Sequence, residues 1–99
     1  MTPEGAVKAK VRALLRKYHI HYLHIPGSQF GKGGAPDYVA CVAGRYIEIE
    51  CKAGKGTQTE LQKVNEKSCI DAGGKYLLVE EGDLNMLEIF IVDSLTPHV

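Results

Sequence analysis

Apolar positions recur along this chain with two different periods, and the changes of period mark its elements. Over residues 3–18, Val7, Val11, Leu14, Leu15 and Tyr18 fall at helical spacing and predict an amphipathic helix. Thr2 can cap that helix, and Pro3 suits its first position, where a missing N–H is no loss. Residues 20–25 predict a short strand ended by Pro26-Gly27, and GSQFGKGGA after it predicts a glycine-rich flexible loop. A hairpin is expected next, with strands at 38–43 and 46–52 and its turn at Gly44-Arg45. In the second strand the period is two, so Ile47, Ile49 and Cys51 face one way while Glu48, Glu50 and Lys52 face the other.

Thr57 and Glu60 have capping-box spacing and predict a second helix opening at Thr57. Leu61, Val64, Ser68 and Ala72 trace its expected inner face, and Gly73-Gly74 stops it. Residues 75–80 (KYLLVE) predict a strand. Residues 83–92 fit two elements, since LEIFIV suits a strand and DLNMLEIF suits the start of a helix. The order helix, strand, strand, strand, helix, strand predicts an α/β fold, a mixed β-sheet flanked by helices.

Length and composition narrow the class. The 99 residues suit one compact domain spanning 1–99, of modest stability, for which self-association would supply further burial. No apolar run reaches the roughly 18 residues of a membrane span, and MTPEGAVKAKVRALLRKY lacks the apolar core of a signal peptide. The expected setting is therefore intracellular, in the cytoplasm. Cys41, Cys51 and Cys69 form no CxxC pair, so free and largely buried thiols are expected. The formal net charge of zero hides an asymmetry. Lys8, Lys10, Arg12, Arg16, Lys17 and Lys32 lie between Gly5 and Pro36 without a carboxylate, whereas Glu80, Glu81, Asp83, Glu88 and Asp93 follow Lys75 without a further Lys or Arg. A polyanion would favour the first third of the chain, unless the acidic tail balances a solvated helix face.

The chemistry-bearing residues lie in the hairpin. Pro36-Asp37 sets a carboxylate at the start of one strand, and Glu50 and Lys52 share a face of the next. Converging acids need neutralising, and a hard divalent cation such as Mg2+ takes carboxylates together with phosphate oxygens. The backbone carbonyl of Cys51 is a further expected ligand. Lys52 would orient or deprotonate a water, or steady charge building on phosphorus oxygens. Taken alone, an E-x-K pair is more often a plain surface ion pair.

Together these residues resemble the VRR-NUC branch of the PD-(D/E)XK nucleases. The match runs from about Glu4 to Glu80 through GGAPDYV, GRYIEIECK, TQTELQ and AGGKYLLVE. The resemblance implies a restriction-endonuclease-like core. Asp37 and Glu50 would hold Mg2+ or Mn2+, Lys52 would be the catalytic lysine, Gln62 would reach back toward the reaction centre, and Glu4 would join the metal site. It also implies an endonuclease hydrolysing phosphodiester bonds in branched, flap or Holliday-junction DNA. Short members are similar to dimeric junction-cleaving enzymes of viral or bacterial origin, so the resemblance implies a homodimer, phage-encoded or bacterial, acting within a bacterial cell. Glu48 departs from the pattern and is expected to be a solvent-exposed or interface acid.

Ser28, Gln29 and Lys32 are expected to approach the DNA backbone, with Lys8, Arg12, Lys55 and Lys63 as further phosphate contacts. The tyrosines, spread along apolar faces, are assigned to the core. AGKGT is not a Walker A loop, because Gly56 stands where Ser or Thr must follow the lysine. His19, His21 and His24 lack the cysteine or carboxylate partners of a zinc site. The rival from another class is a DNA-binding module of the same fold that does not cut.

Overall fold

The computed structural model describes residues 1–26, 33–54 and 56–97. Helix α1 (Pro3–Lys17) opens on Thr2, whose hydroxyl accepts the Gly5 N–H at 3.0 Å. Its stripe of Val7, Val11 and Leu15 is buried, and Leu14 and Tyr18 pack against the same core. His19 takes a φ of 55°, and the Ile20 N–H reaches back to the Leu15 carbonyl at 2.9 Å. That left-handed closure turns the chain into β1 (His21–His24).

The hairpin pairs β2 (Tyr38–Val42) with β3 (Arg45–Cys51). Its turn is Ala43-Gly44, one residue earlier than expected, because Val42 faces Arg45 across it. Both turn residues have positive φ, 52° and 81°, the hand that matches the twist of the flanking strands. Helix α2 (Glu60–Asp71) then carries the chain to β4 (Lys75–Val79), which joins β3 in parallel. A parallel neighbour requires such a crossover. The described residues form an α/β fold with a four-stranded mixed sheet, ordered β1-β2-β3-β4, and three α-helices. The two-way stretch at 83–92 is helical: a 3-10 turn (Glu81–Asp83) leads into α3 (Leu84–Leu95). The Glu80 N–H donates to Asp83 Oδ2 at 2.9 Å there, and Leu87 and Ile91 face the core one turn apart.

The two faces of the sheet are unlike. On one, α1 and α3 bury Val7, Val11, Leu15, Leu87 and Ile91 against Tyr38, Ala40, Val42, Ile47, Ile49, Cys51 and Val79. Strand alternation sends Glu48 and Glu50 to the other, beneath α2. Helix α2 is capped by Thr59 and not by Thr57. Thr59 Oγ1 accepts the Gln62 N–H at 3.1 Å, and Gln62 Oε1 accepts the Thr59 N–H at 2.9 Å. Its expected inner residues Leu61, Val64, Ser68 and Ala72 are exposed, and Gln62, Asn65 and Cys69 face the sheet instead. Buried polar groups demand partners, and the polar helix face supplies Asn65 to Glu48 and Gln62 to Glu50.

The charge asymmetry of the sequence closes on itself in the fold. Lys10 pairs with Glu81, and Lys17 pairs with Glu88 at 2.7 Å, so the basic helix lies against the acidic C-terminal elements. Tyr38 and Tyr76 belong to the interior as expected, but Tyr46 is 48% exposed. Cys51 and Cys69 are buried free thiols, while Cys41 is exposed. Among the described residues no helix is long and apolar enough to cross a membrane.

Gly34 lets the chain before β2 touch the first turn of α2: a Cβ there would lie 2.4 Å from the Leu61 carbonyl oxygen. Gly34→Ala should push α2 from the sheet and lower stability by about 1–3 kcal/mol in urea unfolding. Gly82→Ala, with nothing within 4 Å of the added atom, should change it by less than about 0.5 kcal/mol.

Candidate active site

Three elements deliver the expected acids and amines to one place. Asp37 immediately precedes β2, and its N–H donates to the Ile49 carbonyl at 3.0 Å. Its Oδ2 accepts the Cys51 N–H at 2.7 Å, which holds the carboxyl across the end of β3 beside Glu50. The Lys52 N–H donates to the Val79 carbonyl at 3.0 Å, and Lys52 Nζ lies 3.8 Å from Glu50 Oε1. From the first turn of α2, Gln62 Nε2 donates to the same Glu50 oxygen at 3.1 Å. From α1, Lys8 Nζ lies 3.2 Å from Asp37 Oδ1 and 3.5 Å from Glu4 Oε2. Glu4, Lys8, Asp37, Glu50, Lys52 and Gln62 all line one cleft of about 220 Å³.

Electrostatics in that cleft centre on Glu50. The residue is 3% exposed, and its Oε2 is buried without a hydrogen-bond partner. Burial first, then the charge of Asp37, push its pKa from 4.5 up to about 8, against the opposing pull of Lys52. Partial burial works against the charge of Lys8, but Asp37 and Glu4 outweigh it and raise that amine's pKa. Burial, with Asp37 and Glu50 nearby, pushes the Cys51 thiol up to about 12, and its side chain lies in the apolar core on the face opposite Glu50.

The donor set fits a hard divalent cation: carboxylate oxygens, one of them buried and unpartnered, in a cleft with more acids than amines. Among the described residues no three acids, histidines or cysteines are gathered closely enough to hold a metal as they stand, and Lys8 lies within 3.5 Å of both Glu4 and Asp37.

The remaining expected contacts scatter. Arg12 donates to the Tyr38 hydroxyl at 2.8 Å, and Lys63 lies 3.3 Å from Glu60 on the exposed side of α2; neither lines the cleft. Ser28, Gln29, Lys32 and Lys55 lie outside the described residues. Glu48 corrects its expectation. It is 6% exposed, and both its oxygens are engaged, by the Tyr46 hydroxyl and by Asn65 Nδ2, each at 2.6 Å. The structure makes it a buried structural acid, and its shared strand face with Glu50 was the only signal for this. Lys8, expected as a phosphate contact, pairs here with Glu4 and Asp37, and its helical spacing from Glu4 is the sequence signal for the first of these.

Larger clefts lie elsewhere, about 620 Å³ between Tyr18 and α3 and about 550 Å³ beside α2. Neither gathers carboxylates and amines as the smaller one does.

Because the folded-state pKa of Glu50 is raised, the folded chain binds an extra proton between pH 4.5 and about 8. Its contribution to stability is complete below that window and is lost as pH rises through it. In EDTA, the melting temperature of the natural chain should therefore fall across the window relative to Glu50→Gln. Parallel pH profiles of the two would contradict this assignment.

No family model matches the chain, and no curated protein or solved structure matches it either.

Proposed function

We propose that this chain is a Mg2+- or Mn2+-dependent endodeoxyribonuclease of the PD-(D/E)XK type, hydrolysing phosphodiester bonds in branched DNA. The observation that carries the reading is the meeting of Asp37, Glu50 and Lys52 in one cleft, with a buried Glu50 oxygen lacking any partner. The resemblance to VRR-NUC nucleases supports it. So does the element order, helix, three strands, helix and strand, which is compatible with the core this resemblance implies, with the acid before β2 and the E-x-K at the end of β3.

A bound divalent cation would supply Lewis acidity toward a phosphodiester and favour ionisation of a nucleophilic water. The chain's own groups do the rest. Asp37 Oδ2 is tied to the backbone, which leaves Oδ1 directed into the cleft as a donor. Gln62 holds Glu50 Oε1, so Oε2 is the free donor. The Cys51 carbonyl, between the Glu50 and Lys52 side chains, is a further ligand in this reading. Lys52, its side chain only 12% exposed, donates to the attacking water or to charge developing on the phosphorus oxygens. Glu4, on the first turn of α1, joins the site at its more open side.

Selectivity in this proposal is for DNA shape, since contacts to phosphates carry little sequence information. Flap and Holliday-junction forms are the expected substrates. A homodimer belongs to the same proposal, because branched DNA presents more than one duplex arm and a two-fold pair presents two clefts. The outer face of α3, with Met86 69% and Ile89 65% exposed, offers apolar surface for such pairing.

Single-stranded, duplex, flap and four-way DNA incubated with Mg2+, Mn2+ or EDTA tests the reading. Cleavage of the branched forms is expected with either metal and none in EDTA. Lys52→Ala should reduce cutting about 10²–10⁴-fold while leaving salt-dependent DNA binding largely intact. Asp37→Ala should abolish it. Binding without cutting would instead mark a DNA-binding module, and cutting in EDTA would remove the metal from the account.

A further inference from the structure

Lys8 occupies the position that the metal reading needs for a cation. Its ammonium lies within 3.5 Å of both Glu4 and Asp37, and on Asp37 it takes Oδ1, the oxygen not committed to the Cys51 N–H. Its neighbours on α1, Val7 and Val11, are buried at 1% and 0% exposure, so the helix backbone there is anchored. The Lys8 side chain is 29% exposed and can swing on its flexible stem without moving the helix.

Charge counting gives this placement a consequence. The cleft gathers the carboxylates of Glu4, Asp37 and Glu50 against the amines of Lys8 and Lys52, a balance of −1 when all are ionised. A divalent cation reverses that balance to +1, and one bound phosphodiester restores neutrality. An ammonium and a divalent cation compete for Asp37 Oδ1, because each repels the other at contact distance.

Resting on the metal-dependent reading above, we propose that Lys8 is the resident counter-cation of Glu4 and Asp37, that metal binding displaces it, and that the freed ammonium then engages a DNA phosphate. Lys8 is thus a positioning residue that couples metal loading to DNA affinity. It holds the acids in place without metal, weakens metal binding without DNA, and strengthens DNA binding once metal is present.

Calorimetric titration of Mn2+ into the DNA-free chain tests the first half. Lys8→Gln should bind the ion on the order of tenfold more tightly than the natural chain, and Lys8→Arg about equally. Lys8→Met, which keeps the alkyl stem, serves where Lys8→Gln fails to fold. Equal or weaker binding by the neutral variants overturns the proposal while leaving the metal centre standing. Absence of Mn2+ binding by natural and variant chains alike overturns both. The second half is read from affinity for a four-way DNA with and without Ca2+, an ion of the same charge used as the probe. The natural chain should gain several-fold more from the ion than Lys8→Gln does, and equal gains overturn the coupling.

Discussion

Glu50 ends a strand that is covered on both faces, and nearly everything distinctive about this molecule follows from where that puts its carboxyl group. One oxygen accepts from Gln62, the other is buried without a hydrogen-bond partner, and Asp37 lies beside it. Burial penalises the ionised form even with Lys52 3.8 Å away, and the ionised carboxylate also leaves one oxygen unsatisfied, at about 1–3 kcal/mol. An interior position built only for packing takes Val or Ile, as Ile47 and Ile49 do on the opposite face. A hard cation removes both penalties at once.

The same constraint shapes α2. Gln62 serves the helix and the cleft together: its Oε1 closes the capping box on Thr59, and its Nε2 holds Glu50. Asn65, one turn on, satisfies Glu48. With its polar side turned inward, the helix leaves Leu61, Val64 and Ile70 exposed, and the close approach at Gly34 fixes its height above the sheet. Position and chemistry are therefore not separable here. The helix is held by the groups that the cleft uses.

Much of this was legible in the chain because its causes are local. The stripe of Val7, Val11 and Leu15, the alternation along β3 and the spacing of Asp37, Glu50 and Lys52 are written in short-range periods, and the fold uses them as they read. The inner face of α2 was misread because helical periodicity assumes an apolar floor, whereas the floor here carries Glu48 and Glu50. Residues 83–92 are apolar nearly all round, so neither period dominates, and only the packing of Leu87 and Ile91 decides for helix. Lys8 looked like surface charge because its partner Asp37 is remote in sequence, and Lys10 and Lys17 likewise find Glu81 and Glu88 only through the fold.

The central claim concerns one location: a divalent ion between Glu50 and Asp37. Crystals grown without metal and then exposed to Mn2+ would test it through the ion's anomalous scattering. A peak within about 2.5 Å of Glu50 Oε2 and Asp37 Oδ1 is the expected result. A featureless cleft in crystals whose Mn2+ lies only at other surface sites would contradict the account.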